Sequence, residues 1–260
     1  MDCSGKNIVV LGVGRSGRAA ARLAHARGAR VTVCDSGNPE KLAAQASDLK
    51  EEGIDVVLGA KAESLQWSPQ VVILSPGIDV AWPIAAQFAG GDAEVIGEME
   101  FAYRFWDGEI IGITGTNGKT TTTELAAAFL NEGGIETEPA GNHGKPFSEL
   151  ILGATGSATA TLEISSFQLE KIVEFTPDVA VWLNFAPDHL DRYASLEDYR
   201  KAKLRLLENA GPDTVVVYRA GENLPTGSSR TVTFNAFETG ADYSFDGTNI
   251  LDASGARLEL

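Results

Sequence analysis

Cysteine and histidine are scarce in this chain, positive charge is in the minority, and long apolar runs are missing. The two cysteines, Cys3 and Cys34, have no metal-type spacing and flank apolar, strand-like segments. They read as reduced thiols of a cytoplasmic protein rather than as a disulfide. Lysine and arginine number 21 against 36 acidic residues, a net charge of −15. That balance speaks against general affinity for nucleic acid or an anionic membrane surface. It leaves room for a small anionic ligand, because helix N-termini and local donors bind phosphate within an acidic protein. No apolar stretch approaches membrane-spanning length, and no basic start leads into an apolar signal core. Low-complexity tracts and internal repeats are also absent. What is present is ordinary for a soluble globular protein: 43% hydrophobic and 22% charged residues in 260. That length suits one large or two ordinary α/β domains.

Short aliphatic runs alternate with helical patterns along the chain. Strands are expected at Asn7 to Leu11, Arg30 to Cys34, Asp55 to Leu58, Val71 to Leu74 and Ile110 to Ile113. Further strands are expected at Ala158 to Ile164, Val179 to Asn184, Thr214 to Tyr218 and Thr231 to Asn235. Helices are expected from Arg18 to Arg27, Pro39 to Glu52, Glu98 to Trp106, Thr120 to Asn131 and Leu196 to Asn209. Such alternation predicts an α/β fold with parallel sheets and right-handed crossovers. A domain boundary is placed near Ile96 to Glu100, giving an N-terminal domain 1–98 and a second domain 99–260.

Two glycine loops carry chemistry. Gly112-Ile-Thr-Gly-Thr-Asn-Gly-Lys-Thr-Thr121 runs from a strand end into a helix. Glycines let backbone N–H groups close around phosphate oxygens, and the helix adds its positive end. Lys119 can neutralise β/γ charge and the Thr120 hydroxyl can reach a Mg²⁺ ion. The usual spacing is not fully kept, since Ile113 stands at the leading glycine position and Gly115 precedes Gly118 by three. The earlier loop, Gly12-Val-Gly-Arg-Ser-Gly17, has the dinucleotide fingerprint, with Asp35 at the next strand end. It points to a diphosphate-sized ligand more securely than to nicotinamide. A plain strand–turn–helix stands as the alternative at both loops.

Two later residues suit the same chemistry, and a third is not singled out by its pattern. Glu163 ends an apolar strand and can hold the far side of a Mg²⁺ shell; the alternative is a solvent-facing glutamate. His189 lies between Asp188 and Leu190-Asp191, beside Arg192, on an expected loop. Lys203 lies on a helix, where most lysines are solvated charge.

Taken together, the motifs resemble the Mur ligase family. They are Gly12–Gly17, Ser75-Pro-Gly-Ile78, Gly115-Thr-Asn-Gly-Lys-Thr120, Gly141-Asn-His-Gly144, Glu163-Ile-Ser-Ser-Phe-Gln168, Asp188-His-Leu-Asp-Arg192 and Tyr199-Arg-Lys-Ala-Lys203. The resemblance implies a Rossmann-like N-terminal domain for a UDP-linked substrate, then a P-loop NTPase-like central domain that binds ATP. It implies an ATP-dependent amide ligase of peptidoglycan synthesis, acting through an acyl phosphate to add D-glutamate to UDP-N-acetylmuramoyl-L-alanine. ATP and Mg²⁺ are the implied cofactors. Gly115, Thr116, Asn117, Gly118, Lys119, Thr120 and Thr121 would take ATP. Thr120, Glu163, His189 and a carbamylated Lys203 would hold metal, and Lys119, His189 and Lys203 would serve catalysis. Gly14, Arg15, Ser16, Asp35, Ser36, Gly77, Asn142, Gln168 and His189 would line the UDP-substrate path.

His143 and Ala186 depart from the family pattern. The family's third domain and an Asn-rich adenine segment are not found, so the central domain is expected to be incomplete. The protein is expected to be a cytoplasmic monomer. A non-catalytic nucleotide-sugar module, a sister ligase for another amino acid and an NAD-dependent oxidoreductase stand as alternatives; the last rests only on Gly12–Gly17 and Asp35.

Overall fold

The computed structural model describes residues 1–65, 67–88, 90–153, 159–236 and 240–258. Compactness divides the chain into two units, and neither is continuous. The first gathers Met1–Asp107, Ala140–Ser157 and Phe167–Phe175; the second gathers Gly108–Pro139, Ala158–Ser166 and Thr176–Leu260.

In the first unit, β1 (Asn7–Leu11), β2 (Arg30–Asp35), β3 (Asp55–Leu58), β4 (Val71–Leu74) and β5 (Glu94–Gly97) form one sheet. Its order is β3-β2-β1-β4-β5 and every pairing is parallel. Four-residue aliphatic runs such as Val71–Leu74, buried throughout, suit strands covered on both faces. Val9, Leu11, Cys34, Val72, Leu74, Ile84 and Phe88 pack into one core cluster. Helix α1 (Arg15–Ala26) buries Ala19, Ala20, Leu23 and Ala24. The strand order reverses between β1 and β4. Loops at that switch point are where doubly wound sheets take ligands.

Helices α2 (Ala43–Glu51), α3 (Pro83–Ala86), α4 (Glu98–Tyr103), and α5 (Lys119–Glu132) follow in chain order, then α6 (Phe147–Gly153), α7 (Ser166–Leu169) and α8 (Leu196–Leu204). The second unit is built on β6 (Ile110–Thr114), β7 (Thr137–Gly141), β8 (Thr159–Glu163), β9 (Val179–Trp182), β10 (Val215–Arg219) and β11 (Arg230–Asn235). Three short strands complete it: β12 (Tyr243–Phe245), β13 (Ile250–Asp252) and β14 (Arg257–Leu258). The sheet order is β14-β13-β12-β11-β10-β9-β6-β8-β7. β6 sits between β8 and β9 with parallel pairing to both, so its C-terminal end faces a row of strand ends. β12, β13 and β14 pair antiparallel, the one departure from the expected parallel pattern.

Most expected elements are present. Helix α1 begins at Arg15 rather than Arg18, because Gly14 serves as its N-cap. The helix expected to reach Asn209 ends at Leu204 and tightens into a 3-10 turn, Arg205–Leu207. Ala158, the expected start of one strand, lies outside the described residues. Strands β5, β7, β12, β13 and β14 and helices α3, α6 and α7 were not foreseen. Both cysteines are buried free thiols, and burial, with Asp35 adding to it, pushes Cys34 up to about 12. Among the described residues no helix is long and apolar enough to cross a membrane.

Candidate functional site: two phosphate loops

The later glycine loop leaves the central strand β6 and opens α5. Gly118 caps the helix in the left-handed region, φ 82°, a conformation that side-chain-bearing residues adopt at a cost. The loop hangs from the end of β9. Thr116 N–H donates to Asn184 O (3.1 Å), and Asn117 N–H donates to Asn184 Oδ1 (2.9 Å). Asn184 Nδ2 returns a bond to Asn117 O (2.9 Å). The Thr116 hydroxyl donates to Ala186 O and accepts from Ala186 N–H (3.1 and 3.0 Å). A short loop held this way keeps its amides preorganised.

Charge gathers on this loop. Lys119 Nζ folds back onto Gly115 O and Thr116 O, both at 3.0 Å. Lys203 Nζ, from α8, donates to the same Gly115 O at 2.9 Å. Lys203 is only 2% exposed. Burial first, and the Lys119 charge second, lower its pKa to about 7, with Asp188 and Glu163 opposing. An amine so placed is neutral in a large fraction near pH 7, unlike the solvated lysines of an ordinary surface helix.

Glu163 closes β8 opposite Ile113 and is 2% exposed, so it is not the solvent-facing carboxylate held open from sequence. Its Oε2 accepts from the Thr120 hydroxyl at 2.6 Å. Two hard oxygens therefore meet at the mouth of the loop. Among the described residues no three His, Cys, Asp or Glu side chains form a metal cluster. The donor set suits a cation that takes one or two carboxylates and completes its shell with phosphate and water, as Mg²⁺ does. Thr121 lies on the exposed first turn of α5.

Beneath these groups sits an aromatic cluster that sequence did not single out. Tyr199 is 1% exposed. Its ring contacts Phe185, Tyr193 and, edge-on at 5.6 Å, His189, and it lies 4.9 Å below Lys203 Nζ. His189 has φ 52°, the only positive φ outside glycine among the described residues. Its N–H donates to Asp188 Oδ1 at 2.9 Å, and its carbonyl accepts from Arg192 and Tyr193 N–H at 3.0 Å.

The earlier loop belongs to the first unit. A Cβ at Gly17 would lie 1.9 Å from Gly12 O, so the helix can approach the loop only with glycine there. Asp35, at the end of β2, holds the loop: Oδ2 accepts from Val13 N–H (2.9 Å) and Oδ1 from Gly37 N–H (2.8 Å). Gly14, Arg15 and Ser16 form the N-terminus of the 12-residue α1, with Gly14 and Arg15 exposed. Arg15 donates to Gly144 O, bringing this loop to the turn that bears Asn142. Gly77 follows β4 and lines one cavity with Gln168, which is 3% exposed on α7. Ser36 lies exposed just after β2.

A mostly parallel sheet whose central strand feeds a lysine-bearing glycine loop, with a strand-end carboxylate on the loop's threonine, defines an α/β protein of the doubly wound class. Residues 113–253 match the Mur ligase middle domain, and residues 6–97 match the Mur ligase MurD-like N-terminal domain. The chain belongs to the Mur ligase family. It is 42% identical over 209 residues to the UDP-N-acetylmuramoylalanine–D-glutamate ligase of Koribacter versatilis (strain Ellin345), covering 80% of this chain and 46% of that protein. The chain spans about half the length of the curated relatives it matches. Among solved structures, UDP-N-acetylmuramate:L-alanyl-gamma-D-glutamyl-meso-diaminopimelate ligase from Neisseria meningitides superimposes with TM-score 0.64 at 19% identity, over 96% of this chain and 85% of that one. MurF ligase from Thermotoga maritima in complex with ADP gives 0.50 at 16%, over 97% and 54%. At those identities the likeness is one of fold. The match of residues 6–97 replaces the oxidoreductase reading, which rested on Gly12–Gly17 and Asp35 alone.

Proposed function

We propose that the chain carries the UDP-substrate and nucleotide sites of an ATP-dependent amide ligase that adds D-glutamate to UDP-N-acetylmuramoyl-L-alanine. The domain reading, 1–98 for the UDP compound and 99–260 for ATP, belongs to this proposal, as do a cytoplasmic location and a monomeric state. The contact of Thr120 with buried Glu163, at the mouth of the Lys119 loop, carries it most strongly. Relatives bearing the D-glutamate ligase name at 39–42% identity support the choice of amino acid.

Reactions of this class activate a carboxylate as an acyl phosphate, which an amine then attacks with loss of phosphate. The carboxylate and the polyphosphate are both anions, so the residues here must first screen their repulsion. Lys119 would release its two loop carbonyls and turn to the β/γ oxygens. Thr120 and Glu163 would hold Mg²⁺, which supplies charge neutralisation when bound. Lys203, in the fraction that is neutral near pH 7, can add CO₂ through its lone pair and shed a proton, becoming a carbamate with oxygen ligands. His189, propped on Tyr199, would serve the second metal site and the substrate carboxylate. Gly14, Arg15 and Ser16 would hold the diphosphate on the N-terminus of α1, and Asp35, Ser36 and Gly77 the uridine end. Asn142 and Gln168 would line the sugar.

Lys119→Met tests the division of labour. Calorimetry should show Mg-ATP affinity reduced at least 30-fold with UDP-N-acetylmuramoyl-L-alanine affinity unchanged. Equal loss of both would show that Lys119 supports the fold and not the phosphate.

A further inference from the structure

Helix α4 is short and almost wholly buried, yet two of its six residues are glutamates. Glu98 is 1% exposed and Glu100 is 0% exposed. No charge relay or substrate role in the proposed reaction uses them. Each reaches a segment that arrives from much later in the chain.

Glu100 Oε2 accepts three successive backbone N–H bonds, from Val173 (2.8 Å), Glu174 (3.1 Å) and Phe175 (3.0 Å). Its other oxygen accepts from Arg104 Nε at 2.9 Å, and Arg104 also pairs with Glu94 on β5 at 2.8 Å. Three consecutive amides on one oxygen form a nest of the kind that holds anions, here filled by the protein's own carboxylate. Gly97, just before α4, donates its N–H to Lys171 O at 3.0 Å. A Cβ there would stand 3.3 Å from Lys171 Cβ and 3.4 Å from Lys171 O. The stretch 171–175 is thus fastened at both ends of the Gly97–Glu100 run, three residues beyond Gln168.

Glu98 holds the other late segment. Its Oε1 accepts from Ser148 N–H at 2.8 Å, in the first turn of α6. Its Oε2 has no hydrogen-bond partner among the described residues. Helix α6 follows the Gly141–Lys145 turn that bears Asn142 and that Arg15 grips through Gly144 O. Glu98 also lines the cavity shared by Ser75, Gly77, Gly97, Gln168 and Lys171.

We infer that Glu98 and Glu100 are positioning residues for the UDP-linked substrate: a pair of buried carboxyl side chains that clamp two inserted segments, so that Asn142 and Gln168 are held in the substrate-binding unit. Cost favours this reading over a plain structural one. Burying a carboxylate is expensive, and an apolar residue would fill α4 without penalty. What the two carboxyl groups add is a fixed position for backbone amides of residues 148 and 173–175, which arrive from later in the chain. The inference rests on the UDP-substrate reading of Gly77, Asn142 and Gln168.

The test is calorimetry on the 260-residue chain with UDP-N-acetylmuramoyl-L-alanine and, separately, Mg-ADP, using wild type, Glu100→Ala, Glu100→Gln and Gly97→Ala. Glu100→Ala should weaken the UDP compound at least tenfold and Mg-ADP less than twofold. Glu100→Gln keeps an acceptor oxygen for the three amides and should recover part of the loss. Gly97→Ala shifts the same segment by a few tenths of an ångström without removing a carboxylate, and should cost threefold or more in UDP-compound affinity. It serves as the deciding variant should the Glu100 variants fail to fold. Folded variants that bind the UDP compound as wild type does would overturn the clamp alone. A wild-type chain that binds Mg-ADP but no UDP compound would overturn the substrate reading, and the clamp's role with it.

Discussion

Lys203 shows at the scale of one side chain how position outruns residue type. From sequence it is a lysine on a charged helix; in the fold it is buried, lies over Tyr199 and shares the Gly115 carbonyl with Lys119. The placement of Lys119, Thr120 and Asp35 was legible because it is local, written within a loop or at the end of a strand. The burial of Glu163 and the grip of Asn184 on the loop were not, because their partners lie 43 and 67 residues away in the chain. Glu98 offers a residue-scale test. Burial raises its carboxyl above the ordinary range, with Ser148 opposing. The folded chain therefore keeps a proton that the unfolded chain has lost, in the window from the unfolded pKa of about 4.5 upward. Stability should fall through that window as pH rises, and Glu98→Gln should remove the fall. Urea melts at pH 4.5 and pH 8 should show the variant gaining on wild type at the higher pH. A constant difference would mean that Glu98 does not titrate abnormally.

At the scale of elements, what the sequence announced best were aliphatic runs ending in glycine loops. β1, β4 and β6 stand within a residue of where their patterns put them, because a strand covered on both faces must be apolar throughout. β5 was not legible: Glu94–Gly97 opens with a charged residue after Gly90-Gly-Asp and offers only three apolar or small positions. β7 and α6 lie in a stretch rich in glycine and proline, and they are fixed by contacts to other elements rather than by their own periodicity; α6 packs against α1 and α4. The end of β9 makes a prediction at this scale. Asn184→Ala removes both side-chain bonds that pin the Asn117 backbone, and should cost about 1–2 kcal/mol in thermal or urea unfolding. Mg-ATP affinity should drop about tenfold as the loop loses its preorganisation. Unchanged nucleotide affinity would show that the loop is set by β6 and α5 alone.

The whole molecule is two units, each gathered from three separate stretches of the chain, and this was the least legible feature. Chain order suggests a single crossing from one domain to the next; by compactness, residues 140–157 and 167–175 belong with the first unit. Nothing in those segments marks them as travellers. They are held by Glu98 and Glu100, whose partners are 50 and 73 to 75 residues distant. The arrangement places one glycine loop in each unit, and the proposed function gives each loop its own ligand. Sequential calorimetric titration of the 260-residue chain with UDP-N-acetylmuramoyl-L-alanine and Mg-ATP addresses this most directly. The predicted result is one site for each compound, with Asp35→Ala weakening only the UDP compound and Lys119→Met only the nucleotide. Competition between the two for a single site, or loss of both in either variant, would contradict it.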